Sequence, residues 1–344
     1  MTESEDPGLD VPSKVADPAA AGVTGRAGAR AYRAVSRLAG NRVVRYAFIL
    51  AAIALAGYAL GRDWPRIWSA VYRIGLPAAA GALACVLAAL VMTAQLWRLL
   101  LAALGSPLPA MAAARILFVG QLGKYLPGSL WPVVAQMELG KAYQIPRARS
   151  ASTSVLLVLL TLLSGLLTAL IALPFVARQI PYGWALLAVP VLAATLHPRI
   201  LNRALNRLLR MAGQPSLDTP LTARTIVTAL AWAFGGWLCN GLQIWILATR
   251  LGAPPARTAA LAIGGFAFAW SAGFLVVFAP AGAGVRDVLL ILVLSPVLSA
   301  PAATAVALMS RVLLTAGDML SAAAAARLGR RPWPARASVA ASSD

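Results

Sequence analysis

The stretch IGLPAAAGALACVLAALVMTAQLW, Ile74 to Trp97, runs for 24 residues without a charged side chain. Coiled as an α-helix at 1.5 Å per residue, it covers about 36 Å, more than the ~30 Å hydrocarbon core of a bilayer. Working outward, further apolar runs fall at Val43 to Leu60, Val155 to Ala177, Tyr182 to Leu196, Thr225 to Thr249, Ala259 to Ala279 and Ala302 to Ala326. A shorter run, Val288 to Leu298, is about half a bilayer long, so it is either a strongly tucked span or a half-helix. Hydrophobic residues make up 60% of the chain and charged residues 12%, about half the share of a soluble domain. The fold class expected is therefore all-α: a polytopic transmembrane helix bundle of about eight crossings, with re-entrant or broken helices. Residues 1–40 and 327–344 read as disordered cytoplasmic tails around a membrane domain at 41–326.

The formal net charge is +19. The basic residues stand in short clusters between apolar runs, the arrangement of topogenic charges rather than of a nucleic-acid surface. They implicate anionic lipid headgroups as partners and exclude nucleic acid. With the N-terminus inside, the cytoplasmic segments hold Arg26 to Arg45, the loop from Arg98 to Arg149, the stretch Arg199 to Arg224 and the tail from Arg327. The opposite side receives Arg62, Arg66, Arg73, Arg178, Arg250 and Arg257. Both termini are thus expected in the cytoplasm. No cleavable leader is visible, since the first 43 residues are polar or small. The 27 arginines outnumber the 3 lysines and alanine is abundant. That points to a GC-rich bacterial genome and to a bacterial plasma membrane.

One polar helix is expected outside the spans. Between His197 and Arg210, Leu201, Leu205, Leu208 and Leu209 share one face and Arg199, Arg203 and Arg207 the other. Such a helix suits an anionic leaflet; the plainer alternative is that its charges only fix topology.

Chemistry has few carriers. Apart from tail and loop acids, only Glu138, Asp287 and Asp318 stand in or beside apolar sequence. The two cysteines, Cys85 and Cys239, lack CxxC neighbours, and His197 is the one histidine. No metal, cofactor or enzymatic activity is expected. Lys124 follows a glycine, but a nucleotide-binding P-loop needs GxxxxGK followed by Ser or Thr. Phe118 and Tyr125 stand at the required Gly and Ser/Thr positions, so the motif fails.

Ala110 to Glu138 is apolar but broken by Arg115, Lys124, Pro127, Gly128 and Pro132. Irregular backbone at membrane depth is tolerated only where protein buries it or it lines a cavity, so a re-entrant or interfacial helix pair is expected. Helix restarts around Ser129 to Pro132 and runs through Gln136 and Glu138 to Lys141, with proline in its first turn. A helix start in a membrane cavity offers unpaired N–H groups that suit a phosphate; an ordinary interfacial connection is the alternative. The second break, Pro280-Ala-Gly-Ala-Gly-Val-Arg-Asp287, places an Arg-Asp pair at the start of an apolar helix. Charges there cost about 2.5–3.5 kcal/mol each on insertion scales and face a cavity or a partner. Arg311 and Asp318, seven residues apart, return to nearly the same helical face. Both sets of charges serve equally as structural ion pairs joining helices.

GQLGKYLPGSLWPVVAQ (120–136) and PAGAGVRD (280–287) resemble the lysylphosphatidylglycerol synthase transmembrane-region family, over about residues 70–326. The resemblance implies a flippase-like bundle with re-entrant segments that moves, or helps move, a lipid between leaflets. Larger members add a soluble domain that makes aminoacyl-phosphatidylglycerol, and the chain is not expected to synthesise lipid. Asp287 stands where the family commonly has Glu, and Ala281 and Ala283 lower the glycine count. On this reading the headgroup enters a polar cavity of Lys124, Ser129, Glu138, Arg286, Asp287, Arg311 and Asp318. Two other readings stay open: a small-solute secondary transporter using the same cavity, and a scaffold of an envelope-biogenesis enzyme or a homo-oligomer.

Overall fold

A computed structural model describes residue 69 and residues 72–125, 131–176, 188–211, 220–275 and 284–328. Among the described residues there are helices and no strands. In chain order they are α1 (Leu76–Ala103), α2 (Ala110–Gln121), the 3-10 turn η1 (Leu122–Tyr125), α3 (Trp131–Lys141), α4 (Arg147–Val176), α5 (Ala188–Thr195), α6 (Pro198–Met211), α7 (Ala223–Arg250), α8 (Pro255–Leu275), α9 (Val285–Leu294) and α10 (Ala300–Leu328).

Five of these, α1, α4, α7, α8 and α10, are long and apolar enough to cross a membrane. They match five of the expected runs but extend past them. Helix α4 begins at Arg147 rather than Val155, and α1 continues through Arg98 to Ala103. Hydropathy stops at the first charge, whereas a long arginine stem continues the helix while its head reaches the polar interface. Of the remaining runs in the eight-crossing expectation, Val43 to Leu60 lies outside the described residues. Tyr182 to Leu196 is described only from residue 188, as the eight-residue α5. Val288 to Leu298 resolves into α9, whose 10 residues rise about 15 Å. It is a half-helix.

Helices α1 and α7 form an antiparallel spine: Gly235 faces Met92 near its middle, and Gly81 faces Ile246 near one end. Each end of this spine seeds its own core. Ala82, Val86, Ile244 and Leu247 pack with Phe266 of α8, Leu290 and Leu294 of α9 and Val306 of α10. Leu96, Trp97, Leu100 and Ala229 pack with Ile116 and Leu117 of α2, Leu156 and Leu160 of α4 and Leu201 and Leu205 of α6. Outside these cores the spans present exposed Ile171, Val227, Leu238, Phe268 and Leu292. An apolar outer surface of this kind is natural where the solvent is lipid.

Between helices, lipid supplies no hydrophobic drive, so close backbone approach and polar bonds hold them together. Gln243 Nε2 donates to Ser310 Oγ at 3.0 Å, tying α7 to α10, and Trp237 Nε1 donates to Ser164 Oγ at 3.0 Å, tying α7 to α4. Asn240 instead bonds back to Gly236 O of its own helix.

The basic helix α6 is present, but its apolar face is turned inward. Leu201 and Leu205 are buried in the second core while Arg199, Arg203, Arg207 and Arg210 are exposed. Leu201 and Leu205 thus face protein rather than lipid. Asn202 fixes it from the side: its Nδ2 donates to Leu221 O at 3.0 Å and its Oδ1 accepts from Leu221 N at 2.9 Å. Asn202→Ala leaves both backbone groups without these partners, and about 1–3 kcal/mol of stability should be lost. A lowered melting midpoint in detergent, with α-helix content unchanged before the transition, is the expected record.

Candidate functional site

Two breaks in the helical pattern bring charge to α10. The first is η1. Helix α2 ends at Gln121, the chain tightens through Leu122–Tyr125, and α3 begins at Trp131 with Pro132 in its first turn. Helices α2 and α3 pack as a pair in which a Cβ on Gly120 would meet the backbone N of Gln136 at 3.3 Å, so only glycine lets them approach this closely. Gln136 is buried and bonded to Ser154 of α4, which locks the pair to that span. This is the broken helix pair the sequence predicts.

Lys124 and Tyr125 project from η1 onto Asp318 of α10. Lys124 Nζ and the Tyr125 hydroxyl both lie 2.6 Å from the same oxygen, Asp318 Oδ2. Thr315, one turn back on α10, stands beside the phenol. Asp318 is 7% exposed and Lys124 35%, so the carboxylate is sealed and the ammonium is within reach from outside.

The second break precedes α9. Gly284 has φ of 92°, a left-handed conformation that an L side chain adopts only at a cost of about 1–2 kcal/mol. The helix starts immediately after it. Asp287 at its third position reaches back to the Gly284 N–H at 3.4 Å and so caps it. The same carboxylate gathers two guanidinium groups: Arg286 Nη2 at 3.3 Å on Oδ1 and Arg311 Nη1 at 3.1 Å on Oδ2. Arg286 also packs on α8, where a Cβ on Gly273 would stand 3.1 Å from its Cβ.

The two groups share α10. Arg311 and Asp318 are two turns apart, about 10.5 Å along the axis. The result is a polar strip of three cations and two carboxylates, net charge +1, inside helices that are otherwise apolar.

Of the residues expected at the site, Lys124, Arg286, Asp287, Arg311 and Asp318 are thus brought onto α10. Glu138 is engaged elsewhere: Lys141 and, at 3.5 Å, Arg147 hold its carboxylate at the junction of α3 and α4. Ser129 lies outside the described residues. Tyr125 and Thr315 join the strip without having been singled out. A signal for Thr315 exists, because Arg311, Thr315 and Asp318 fall at i, i+4 and i+7, a polar stripe on an apolar helix. Among the described residues no group of His, Cys, Asp or Glu could hold a metal ion.

The model of the family described as Lysylphosphatidylglycerol synthase TM region matches residues 42–321. The chain belongs to that family. The match takes in the whole strip, from Lys124 to Asp318. A comparison with curated proteins finds no match. Membership in the lysylphosphatidylglycerol synthase transmembrane-region family, with the apolar helices, makes this a multi-pass membrane protein and points to a function concerned with membrane lipids.

Proposed function

We propose that the chain is a flippase-like lipid translocase or scramblase that moves a phospholipid, or a lipid-linked headgroup, between the leaflets of a bacterial plasma membrane. The observation that carries the reading is the strip on α10. Charges are expensive at membrane depth and persist there where a polar substrate or ion passes. Two broken-helix segments deliver them, which is how transporters build midplane sites. The surplus of one positive charge suits a headgroup phosphate, with the acyl chains left in the bilayer. On this reading the chain is no enzyme and takes no cofactor. Its partners are anionic lipids, and both termini lie in the cytoplasm.

The test is headgroup movement in proteoliposomes, with labelled phosphatidylglycerol, a lysylated lipid and a polyprenyl-phosphate lipid in parallel. Wild type should move at least one of them, and Asp287→Asn should move it more slowly. If folded wild-type protein moves none, the translocase reading fails, and a solute transporter or an envelope scaffold takes its place.

A further inference from the structure

Two donors converge on one oxygen at Asp318, and they are not alike. Tyr125 is half-buried, with its hydroxyl on Asp318 and two rotatable bonds in its stem. Lys124 is 35% exposed on a flexible four-carbon stem. An oxyanion entering from outside meets the lysine first, while the carboxylate behind it is 7% exposed.

We infer that Asp318 is an internal stand-in for the ligand: Lys124 exchanges between its carboxylate and an incoming phosphate-class oxyanion, and the Lys124–Asp318 pair is the latch that closes the site when it is empty. The inference rests on the translocation reading for its biological ligand, but not for its chemistry. Three features support it. The exchange conserves the charge pair, because the ammonium leaves one anion only for another. Asp318 is not orphaned when Lys124 leaves, because the Tyr125 hydroxyl remains on it. A carboxylate stripped of its cation in a low-dielectric site is costly, so Lys124 is drawn back once the oxyanion departs. The latch joins η1 to α10, so its opening leaves the Tyr125 bond to Asp318 as the remaining side-chain tie described between them. The site therefore stays shut to neutral and cationic solutes and yields to a ligand that brings its own negative charge.

The experiment measures binding by the purified full-length chain in detergent, using dihexanoyl-phosphatidylglycerol and inorganic phosphate as separate probes. Asp318→Asn keeps the shape and an acceptor for Tyr125 but removes the competing charge. Its affinity should rise about tenfold or more, since a rival charge within contact distance is worth at least one factor of ten. Tyr125→Phe should weaken binding, because Asp318 then holds Lys124 as its main partner. Tighter binding of both probes, or of the lipid alone, supports the latch. Tighter binding of inorganic phosphate alone supports the latch and removes the lipid from this site. Unchanged or weaker binding by Asp318→Asn overturns it. A second readout uses wild type and so survives a misfolded variant. The chain has only 3 lysines, and acylation of Lys124 by an amine reagent, read by mass spectrometry, should be suppressed as the lipid probe is added. Acylation indifferent to both probes overturns the proposal, whatever the proteoliposome assay shows.

Discussion

Replacing Asp287 by alanine is expected to cut lipid movement more than about thirtyfold, which corresponds to about 2 kcal/mol, the low end for truncating one member of a buried charge pair. Asp287 carries three bonds at once. It holds Arg286 and Arg311, which are 15% and 28% exposed, and it caps the backbone at Gly284. With the carboxylate gone, two guanidinium groups face each other across α9 and α10 with no counter-ion among the bonds described for them. The helix start loses its cap as well. Asp287→Asn retains an acceptor for the Gly284 N–H and one for a guanidinium, and should sit between alanine and wild type. Asp287→Glu keeps the charge and should be the mildest of the three. The order Glu, Asn, Ala in transport rate is the informative result. Equal rates for all three would mean that the pair on α10 plays no part in transport. Melting midpoints measured beside the rates separate a collapsed bundle from an inactive one.

The second large effect is expected from Gly241→Val. A Cβ at Gly241 would stand 2.6 Å from the Cα of Ile263, a contact with backbone rather than with a side chain that can swing away. Helices α7 and α8 would have to separate. Overpacking of a tight core costs about 1–3 kcal/mol when side chains can adjust, and here the main chain itself must move, so the upper end is expected. Separation would also reach the site, because α8 carries Gly273 against Arg286. Little monodisperse protein should be recovered from the membrane. Gly235→Ala is the control: its Cβ would meet the Met92 sulfur at 3.4 Å, and methionine yields readily. Normal recovery of Gly241→Val would show that the two helices are not packed as described.

The helical class and five of the spans are readable in the sequence because apolar length alone decides them. The interruption at Gly120 to Pro132 is readable too, since proline and glycine at membrane depth leave few backbone options. Helix ends are less legible: Arg98 looks like a boundary but lies inside α1, and α4 starts at Arg147, eight residues before the apolar run at Val155. Partnership is the hardest part. Chain order points Glu138 to Lys141, three residues on in α3, but nothing in it says that Asp318 belongs with Lys124. Asp318 has no lysine near it in the sequence, and only the docking of η1 on α10 supplies one. Tyr125 escapes notice for the same reason. A tyrosine in a membrane segment is ordinary until a carboxylate is placed 2.6 Å from its hydroxyl.

The antiparallel spine also sets a schedule for biogenesis. Helix α1 is complete at Ala103, but the partner that covers it, α7, does not begin until Ala223. At a synthesis rate of about 5–20 residues per second, the ribosome takes roughly 6–24 s to supply the intervening chain. For that interval α1 has α2 and α4 to lean on, and the face destined for Ile246 and Gly235 meets lipid or the insertion machinery instead. Neither core can close until α7 is inserted, because it contributes to both. A chain stalled before residue 223 is therefore a natural target for membrane quality control, while one stalled just after residue 250 already holds its central pair.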